Sequence, residues 1–449
     1  MGAGKSTLAP VVAERLGRGS VDLDDELGAD VSELFARAEE EFRAIEERRT
    51  CELLAASEPA VLALGGGAVE SPAVRRALGE RAFTVWLDVD AGTAWERAQG
   101  TNRPLARTED DFRARHERRR PLYADVADAV AGDADGVVLA AAGVHVESGA
   151  VARLGELVPG EGPVALVTDA RVAGIHGADA QLALGDRLAS VHEVAKTLTS
   201  CATLWRELRL ERGGTIAALG GGTVSDTAGF VAATYLRGIA WAPVPTTLVG
   251  QTDAAIGGKT GVDLAEGKNL VGAFHWPAKT IVDPELLATL PAEERRAGLA
   301  EVVKTGLLAG EPLWELPEPE QVRRCAAFKS AVCLRDPLER GERAILNLGH
   351  TFAHALEAAG VPSHGHAVAL GLLAALRLSG LETTAVQETL APEPARVDPE
   401  RAWQALLRDK KAAGGRVRLV LLDAPGEPRW PAELAEAEVR RALDGIIAS

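Results

Sequence analysis

The sequence predicts an α/β protein in three units: an α/β unit built on a phosphate-binding loop, a Rossmann-like α/β unit, and an α-helical unit. Three observations carry this expectation. The chain opens on Gly2-Ala3-Gly4-Lys5-Ser6-Thr7, the tail of a phosphate loop. A second glycine run, Gly220-Gly221-Gly222, follows the apolar stretch Thr215 to Leu219 and suggests a second nucleotide site. From Glu285 onward apolar residues recur at helical spacing, over Leu299 to Leu308, Ala344 to Ala358 and Ala367 to Leu378. A stretch rich in alanine and glycine, Ala131 to Gly162, places a domain boundary near residue 140, and Val164 to Thr168 then reads as a buried parallel strand. The expected units are residues 1–140, 141–284 and 285–449.

Composition narrows the partners. A chain of 449 residues is long enough for several domains, and its formal net charge of -16 argues against nucleic acid or an anionic membrane. Small-molecule substrates are the expectation, with basic residues concentrated inside motifs. The four cysteines show no CxxC spacing and read as free thiols of a reducing, cytoplasmic setting. No apolar run approaches the roughly 20 residues that cross a bilayer.

In the first unit the loop amides and the helix that follows, Leu8 to Leu16, cradle phosphates. Lys5 reaches the β- and γ-phosphates and Ser6 holds magnesium. A strand ending in Val21-Asp22-Leu23-Asp24 puts Asp22 and Asp24 on one face, one for the metal and one for a substrate hydroxyl. Further along stand Phe42-Arg43 with Glu46, then Gly65-Gly66-Gly67, Arg103-Pro104-Leu105, and Arg119 ahead of Pro121-Leu122-Tyr123. This set resembles the shikimate kinases and implies a P-loop kinase-like α/β domain. The resemblance implies that Gly2, Gly4, Lys5, Ser6 and Thr7 bind ATP and that Ser6 and Asp22 serve Mg2+. It further implies that Asp24, Arg43, Gly66, Gly67 and Arg119 hold shikimate and that Arg103 sits in a lid. A carboxylate substrate suits paired, bidentate arginines. Ala38 and Ala106 depart from the family pattern, and the chain begins inside the loop, without the strand that precedes it in the family. Loss of a central parallel strand would expose two strand edges. The competing reading is an inactive nucleotide-binding or scaffold remnant.

The second α/β unit carries Leu219 to Phe230 with Asp226, then Tyr235-Leu236-Arg237-Gly238, Pro245-Thr246-Thr247-Leu248, Gln251-Thr252-Asp253, Gly257-Gly258-Lys259-Thr260 and Glu266-Gly267-Lys268-Asn269. Upstream are Asp169 at a strand end and Glu193 with Lys196. The helical unit adds Glu301 and Lys304 at i and i+3, and His350 and His354 at i and i+4. His364 follows in Ser-His-Gly-His, with Lys329, Arg343, Asn347 and the pair Lys410-Lys411 as further basic or polar candidates. Two imidazoles and a carboxylate make a catalytic zinc pattern. Spacing alone pairs His350 with His354.

Residues from about 141 to 445 resemble the 3-dehydroquinate synthases. The resemblance assigns zinc (or cobalt) to Glu301, His350 and His364, and gives His354 to the substrate. It implies that NAD is lined by Asp169, Glu193, Lys196, Gly221, Gly222, Thr223, Asp226, Thr246, Thr247, Asp253, Lys259, Lys268 and Thr289. It implies that Arg237, Lys259, Lys268, Asn269, Lys304, His354 and Arg343 act on substrate, and that the enzyme is a homodimer through the synthase unit. Arg171, Ala353 and His366 depart from the family, His366 standing where a carboxylate is usual. The implied reaction turns 3-deoxy-arabino-heptulosonate 7-phosphate into 3-dehydroquinate and phosphate. Rival readings are another sugar-phosphate cyclase, such as a 2-deoxy-scyllo-inosose synthase, and a metal-dependent polyol dehydrogenase.

Overall fold

The computed structural model describes residues 2–27, 38–99, 108–412 and 417–448, without the side chains of 409–412. Arg103 and Ala106, and the side chains of Lys410 and Lys411, fall outside that set. The chain divides into two compact units, Met1–Ala142 and Gly143–Ser449.

In the first unit Gly4, at φ 84, turns the chain into helix α1 (Lys5–Leu16). Strand β1 (Gly19–Asp22) pairs in parallel with β2 (Ala60–Ala63), and β3 (Val85–Leu87) pairs in parallel with β4 (Ala129–Ala131). The four strands form two separate pairs among the described residues. Parallel strands are ordinarily covered on both faces, yet Val61, Leu62, Val85, Trp86 and Leu87 are only half-buried. Helices α2 (Glu39–Leu54) and α3 (Glu109–Val126) supply the arginines discussed below. One expectation is corrected here: the strand stops at Asp22 and does not run to Asp24. The Asp22 carboxylate accepts the Asp24 amide at 3.0 Å and caps the turn Leu23–Glu26. Aspartate is favoured at such a cap, and the cap competes with strand extension.

In the second unit four parallel strands lie in the order β7 (Leu188–Glu193), β6 (Val164–Thr168), β8 (Thr215–Gly220), β9 (Ala240–Pro245). Every residue of β6 and β8 is buried, as their continuous apolar sequence requires. The chain order reverses between β6 and β8, which opens a crevice at their carboxyl ends. Strand β5 (Val144–Val146), unanticipated from sequence, pairs in parallel with β12 (Thr280–Val282) and ties the start of this unit to the end of its α/β part. An antiparallel hairpin, β10 (Lys259–Leu264) and β11 (Gly267–Phe274), projects between them in sequence.

The helical part contains α5 (Ala292–Ala309), α6 (Glu318–Arg335), α7 (His350–Ala359) and α8 (His364–Ser379), packed round a core that includes Val303, Val332, Phe352, Leu356 and Leu370. Two differences from the sequence reading appear. The helix expected over Ala344 to Ala358 is broken, because Gly349 sits at φ 77 between a 3-10 turn and α7. A second antiparallel hairpin, β13 (Arg418–Ala424) and β14 (Glu427–Glu433), interrupts the helical region. Its signal was present: the run Leu419 to Leu422 followed by Pro425-Gly426.

Candidate active sites

The glycine run lies where β8 meets helix α4 (Gly222–Thr234). Gly221 caps that helix without a side chain, so backbone amides face the crevice. The crevice is tight, since a Cβ on Gly221 would come within 3.0 Å of Thr247. Asp169, at the end of β6, spends one carboxylate oxygen on the amides of Arg171 and Val172. Lys196 reaches Asp226 at 2.7 Å, with Asp263 at 3.8 Å. Burial raises the Asp226 carboxyl, and Lys196 only partly opposes it. Glu193 is exposed at the end of edge strand β7. The amide of Thr246 donates to Gly220 O at 3.0 Å, and the Thr247 hydroxyl accepts the Gly250 amide. Thr223 is in the first turn of α4, and the Thr289 hydroxyl is engaged by His176 at 2.8 Å.

The candidate metal donors come from three helices. Glu301 of α5, His350 of α7 and His364 of α8 offer ligand atoms that all lie within 4.8 Å of one another. Both Nε2 atoms face the same carboxylate oxygen, Glu301 Oε1, at 3.5 Å from His350 and 3.3 Å from His364. The Nδ1 of His350 faces Leu348 O at 3.2 Å. Gly365 lets α8 approach α5 so closely that a Cβ there would fall 2.1 Å from Ala297 Cα. His354 is exposed, with its ring 5.6 Å from that of His350, and neither it nor His366 joins the three-donor cluster. The tertiary approach of α8 thus prevails over the i, i+4 pairing of His350 with His354. Two imidazoles and one carboxylate fit zinc or cobalt, a three-donor set that leaves the fourth coordination position to a substrate ligand.

Most of the candidate cations are paired with carboxylates. Lys304, buried, lies 2.5 Å from Glu301 Oε2 and 3.4 Å from Asp253. Lys329 lies 2.9 Å from Asp253 and donates to its carbonyl. Burial would raise the Asp253 carboxyl, but Lys304 and Lys329 outweigh it and hold it at about 2. Lys259 pairs with Glu339 at 2.5 Å, and burial lowers its ammonium against that pairing. Asn347 also reaches Glu339, at 3.4 Å. Arg343 is 1% exposed, and its Nε has no hydrogen-bond partner among the described residues. An unsatisfied buried guanidinium N–H is costly and suits an anionic ligand. Lys268 lies 3.0 Å from Glu357, and Asn269, at φ 56, is held through its amide by Asp263. Arg237 is exposed in left-handed backbone after Leu236.

A second polar site forms in the first unit. Arg43 reaches Glu46 at 2.5 Å and lies against Gly67, where a Cβ would meet its guanidinium. Arg119, 4% exposed, makes a bidentate pair with Glu70 at 3.1 and 3.2 Å. Arg118 and Arg43 also reach Glu70, at 3.5 and 3.8 Å. Tyr123 donates to Gly66 O at 2.7 Å. Asp24 stands close enough to raise the Glu46 carboxyl, a lesser influence than burial. Asp24, Arg43, Gly66, Gly67 and Arg119 are therefore gathered in one place.

Comparison with known proteins identifies the family. A 3-dehydroquinate synthase from Symbiobacterium thermophilum is 41% identical over 349 residues, 68% of this chain and 97% of the relative. The chain belongs to the 3-dehydroquinate synthase family. The synthase of Bordetella pertussis is 38% identical over 67% of this chain and 95% of its own. The family models for the N-terminal and C-terminal parts of 3-dehydroquinate synthase match residues 187–297 and 298–412, and the shikimate kinase model matches residues 1–143. The chain thus joins a shikimate kinase domain to a 3-dehydroquinate synthase. Among solved structures, a 2-epi-5-epi-valiolone synthase from Streptomyces hygroscopicus superposes with a TM-score of 0.58 at 25% identity, covering 68% of this chain and 96% of that one. A 2-deoxy-scyllo-inosose synthase superposes at 0.60 with 24% identity over 68% and 96%, which establishes the shared fold. Three acidic residues that sequence reasoning passed over pair with candidate cations: Glu339 with Lys259, Glu357 with Lys268, and Glu70 with Arg119. Glu357 had a signal, since it falls at i+7 from His350 on the same helical face.

Proposed function

We propose that the second unit converts 3-deoxy-arabino-heptulosonate 7-phosphate to 3-dehydroquinate and phosphate, and that the first phosphorylates shikimate with ATP and Mg2+. The observation that carries the synthase reading is the Glu301–His350–His364 cluster, and the buried Arg343, whose Nε has no partner among the described residues, supports it. The related 2-epi-5-epi-valiolone synthase was solved with NAD+ and Zn2+ bound, which supports the same pair of cofactors here. Bound NAD would take and return a hydride, and zinc would polarise the hydroxyl being oxidised. Glu301, His350 and His364 would hold the metal. The α4 N-terminus, with Gly221, Gly222, Thr223 and Asp226, would carry the dinucleotide pyrophosphate. Thr246, Thr247, Asp169, Glu193, Lys196, Asp253 and Thr289 would complete that pocket. Lys259, Lys268, Asn269, Lys304, His354, Arg343 and Arg237 would bind the phosphate and carboxylate of the sugar acid and fix its reacting carbons.

In the kinase unit Gly2, Gly4, Lys5, Ser6 and Thr7 would cradle ATP, and Ser6 with Asp22 would serve Mg2+. Asp24, Arg43, Gly66, Gly67 and Arg119 would hold shikimate. The reading extends to a cytoplasmic homodimer joined through the synthase unit, whose α/β and helical parts meet near residue 284. The deciding experiment is phosphate release from the heptulosonate phosphate with catalytic NAD+, before and after chelation. The reading predicts release that stops on chelation, returns with zinc, and leaves no net NADH. Release insensitive to chelation would overturn the metal assignment, and no release with both cofactors bound would overturn the substrate.

A further inference from the structure

We propose that Glu357 is a positioning residue for the metal site, which fixes the imidazole of His364 and couples it to Lys268 on the β10–β11 hairpin. The inference rests on the reading of Glu301, His350 and His364 as metal ligands. It starts from the face of α7. His350, His354 and Glu357 stand at i, i+4 and i+7 and so form one stripe along the helix. The first residue of that stripe is a ligand, and the last stands behind another ligand contributed by α8.

The two nitrogens of His364 look in opposite directions. Nε2 faces Glu301 at 3.3 Å, and Nδ1 faces Glu357 Oε2 at 3.6 Å. The other ligand imidazole is arranged the same way, with Nε2 toward Glu301 and Nδ1 toward Leu348 O. A ligating histidine needs its second nitrogen occupied, because that partner sets the tautomer and the ring angle. For His350 the partner is a backbone carbonyl. For His364 it is a carboxylate from a different helix, so the neighbouring His366 is not required for the task.

The other oxygen of Glu357 holds Lys268 at 3.0 Å. The carboxylate side chain is 13% exposed while that of the lysine is 70% exposed. The buried partner is therefore the fixed one, and the lysine is the group being held. Removing the carboxylate releases both the imidazole and the lysine, whereas removing the lysine releases itself alone. An ordinary surface ion pair would contribute little to either.

The test uses the full chain with E357Q and K268A, and metal alone as the first probe. Zinc affinity is measured by competition with a chromophoric chelator, and the visible spectrum of the cobalt(II)-loaded protein reports the coordination geometry. E357Q should bind zinc roughly 10- to 100-fold more weakly and alter the cobalt spectrum. K268A should keep the affinity and spectrum of the parent and raise KM for the heptulosonate phosphate. E357D retains the charge and should recover part of the affinity, which separates positioning from a general loss of fold. Parent-like zinc affinity and cobalt spectrum in E357Q would overturn the proposal, as would an equal loss of affinity in K268A. Because metal binding is read without substrate, a weakened E357Q beside an inactive parent would sink the substrate assignment and leave the positioning role standing. A parent that binds neither metal would sink both.

Discussion

Single residues decide how well the kinase site can receive its substrate. Arg43 and Arg119 are the cations that a shikimate carboxylate would seek, yet Glu70 already takes the Nε–Nη2 edge of Arg119 and lies 3.8 Å from Arg43. Arg118 closes a third side. Burial would raise the Glu70 carboxyl, but these arginines outweigh it and keep it below the ordinary range, so it stays ionised at neutral pH. An incoming carboxylate must then compete with an internal one of the same chemistry. E70Q keeps the shape and removes the competing charge. It should lower KM for shikimate by roughly threefold to tenfold, the scale of a partly exposed guanidinium–carboxylate contact, with kcat little changed. A raised KM in steady-state assays would instead make Glu70 a support for Arg119. The contact was invisible in the sequence, because Glu70 and Arg119 are 49 residues apart and nothing local marks them as partners.

At the scale of elements, what could be read from sequence is what local patterning governs. Val164 to Thr168 is a strand because a continuous apolar run suits a strand covered on both faces. The helices over Leu299 to Leu308 and Ala367 to Leu378 follow from apolar periodicity. The choice of His364 over His354 as the third donor came from the family resemblance and not from spacing. Its physical cause is the close packing of α8 on α5 at Gly365. Strand β5 was missed because its partner β12 lies more than a hundred residues away in the chain. Gly349 was read as part of a continuous helix, and here a prediction follows. Its φ of 77 disfavours any side chain, and a Cβ would come within 2.8 Å of the Leu372 amide on α8. G349A should cost about 1–2 kcal/mol for the backbone and more for the overpacked contact. Because His350 is the next residue, zinc affinity should fall along with the denaturation midpoint. A variant with parent-like stability would mean that α7 and α8 can separate without cost.

On the scale of the whole molecule the two units are built to different standards. Strands β6 and β8 are buried at every position inside a four-stranded parallel sheet, and the helical part shares one large apolar core. Among the described residues the strands of the first unit pair only in twos, and most residues of β2 and β3 are half-exposed. Apolar burial of about 25 cal/mol per Å² is the main favourable contribution to folding, and isolated two-stranded pairs are marginal without further packing. The chain should therefore unfold in two steps, with the kinase unit first and the synthase unit second. Multi-domain chains commonly depart from a single transition in this way. Ligands identify the steps, since each stabilises only the unit that binds it. A ligand at a hundred times its Kd adds about 2.7 kcal/mol. Zinc with NAD+ should raise the upper transition and leave the lower one in place, while ATP–Mg2+ with shikimate should raise only the lower. The measurement is a calorimetric scan of the full chain with each ligand set in turn. A single transition that moves with either set would mean that the two units unfold as one cooperative body.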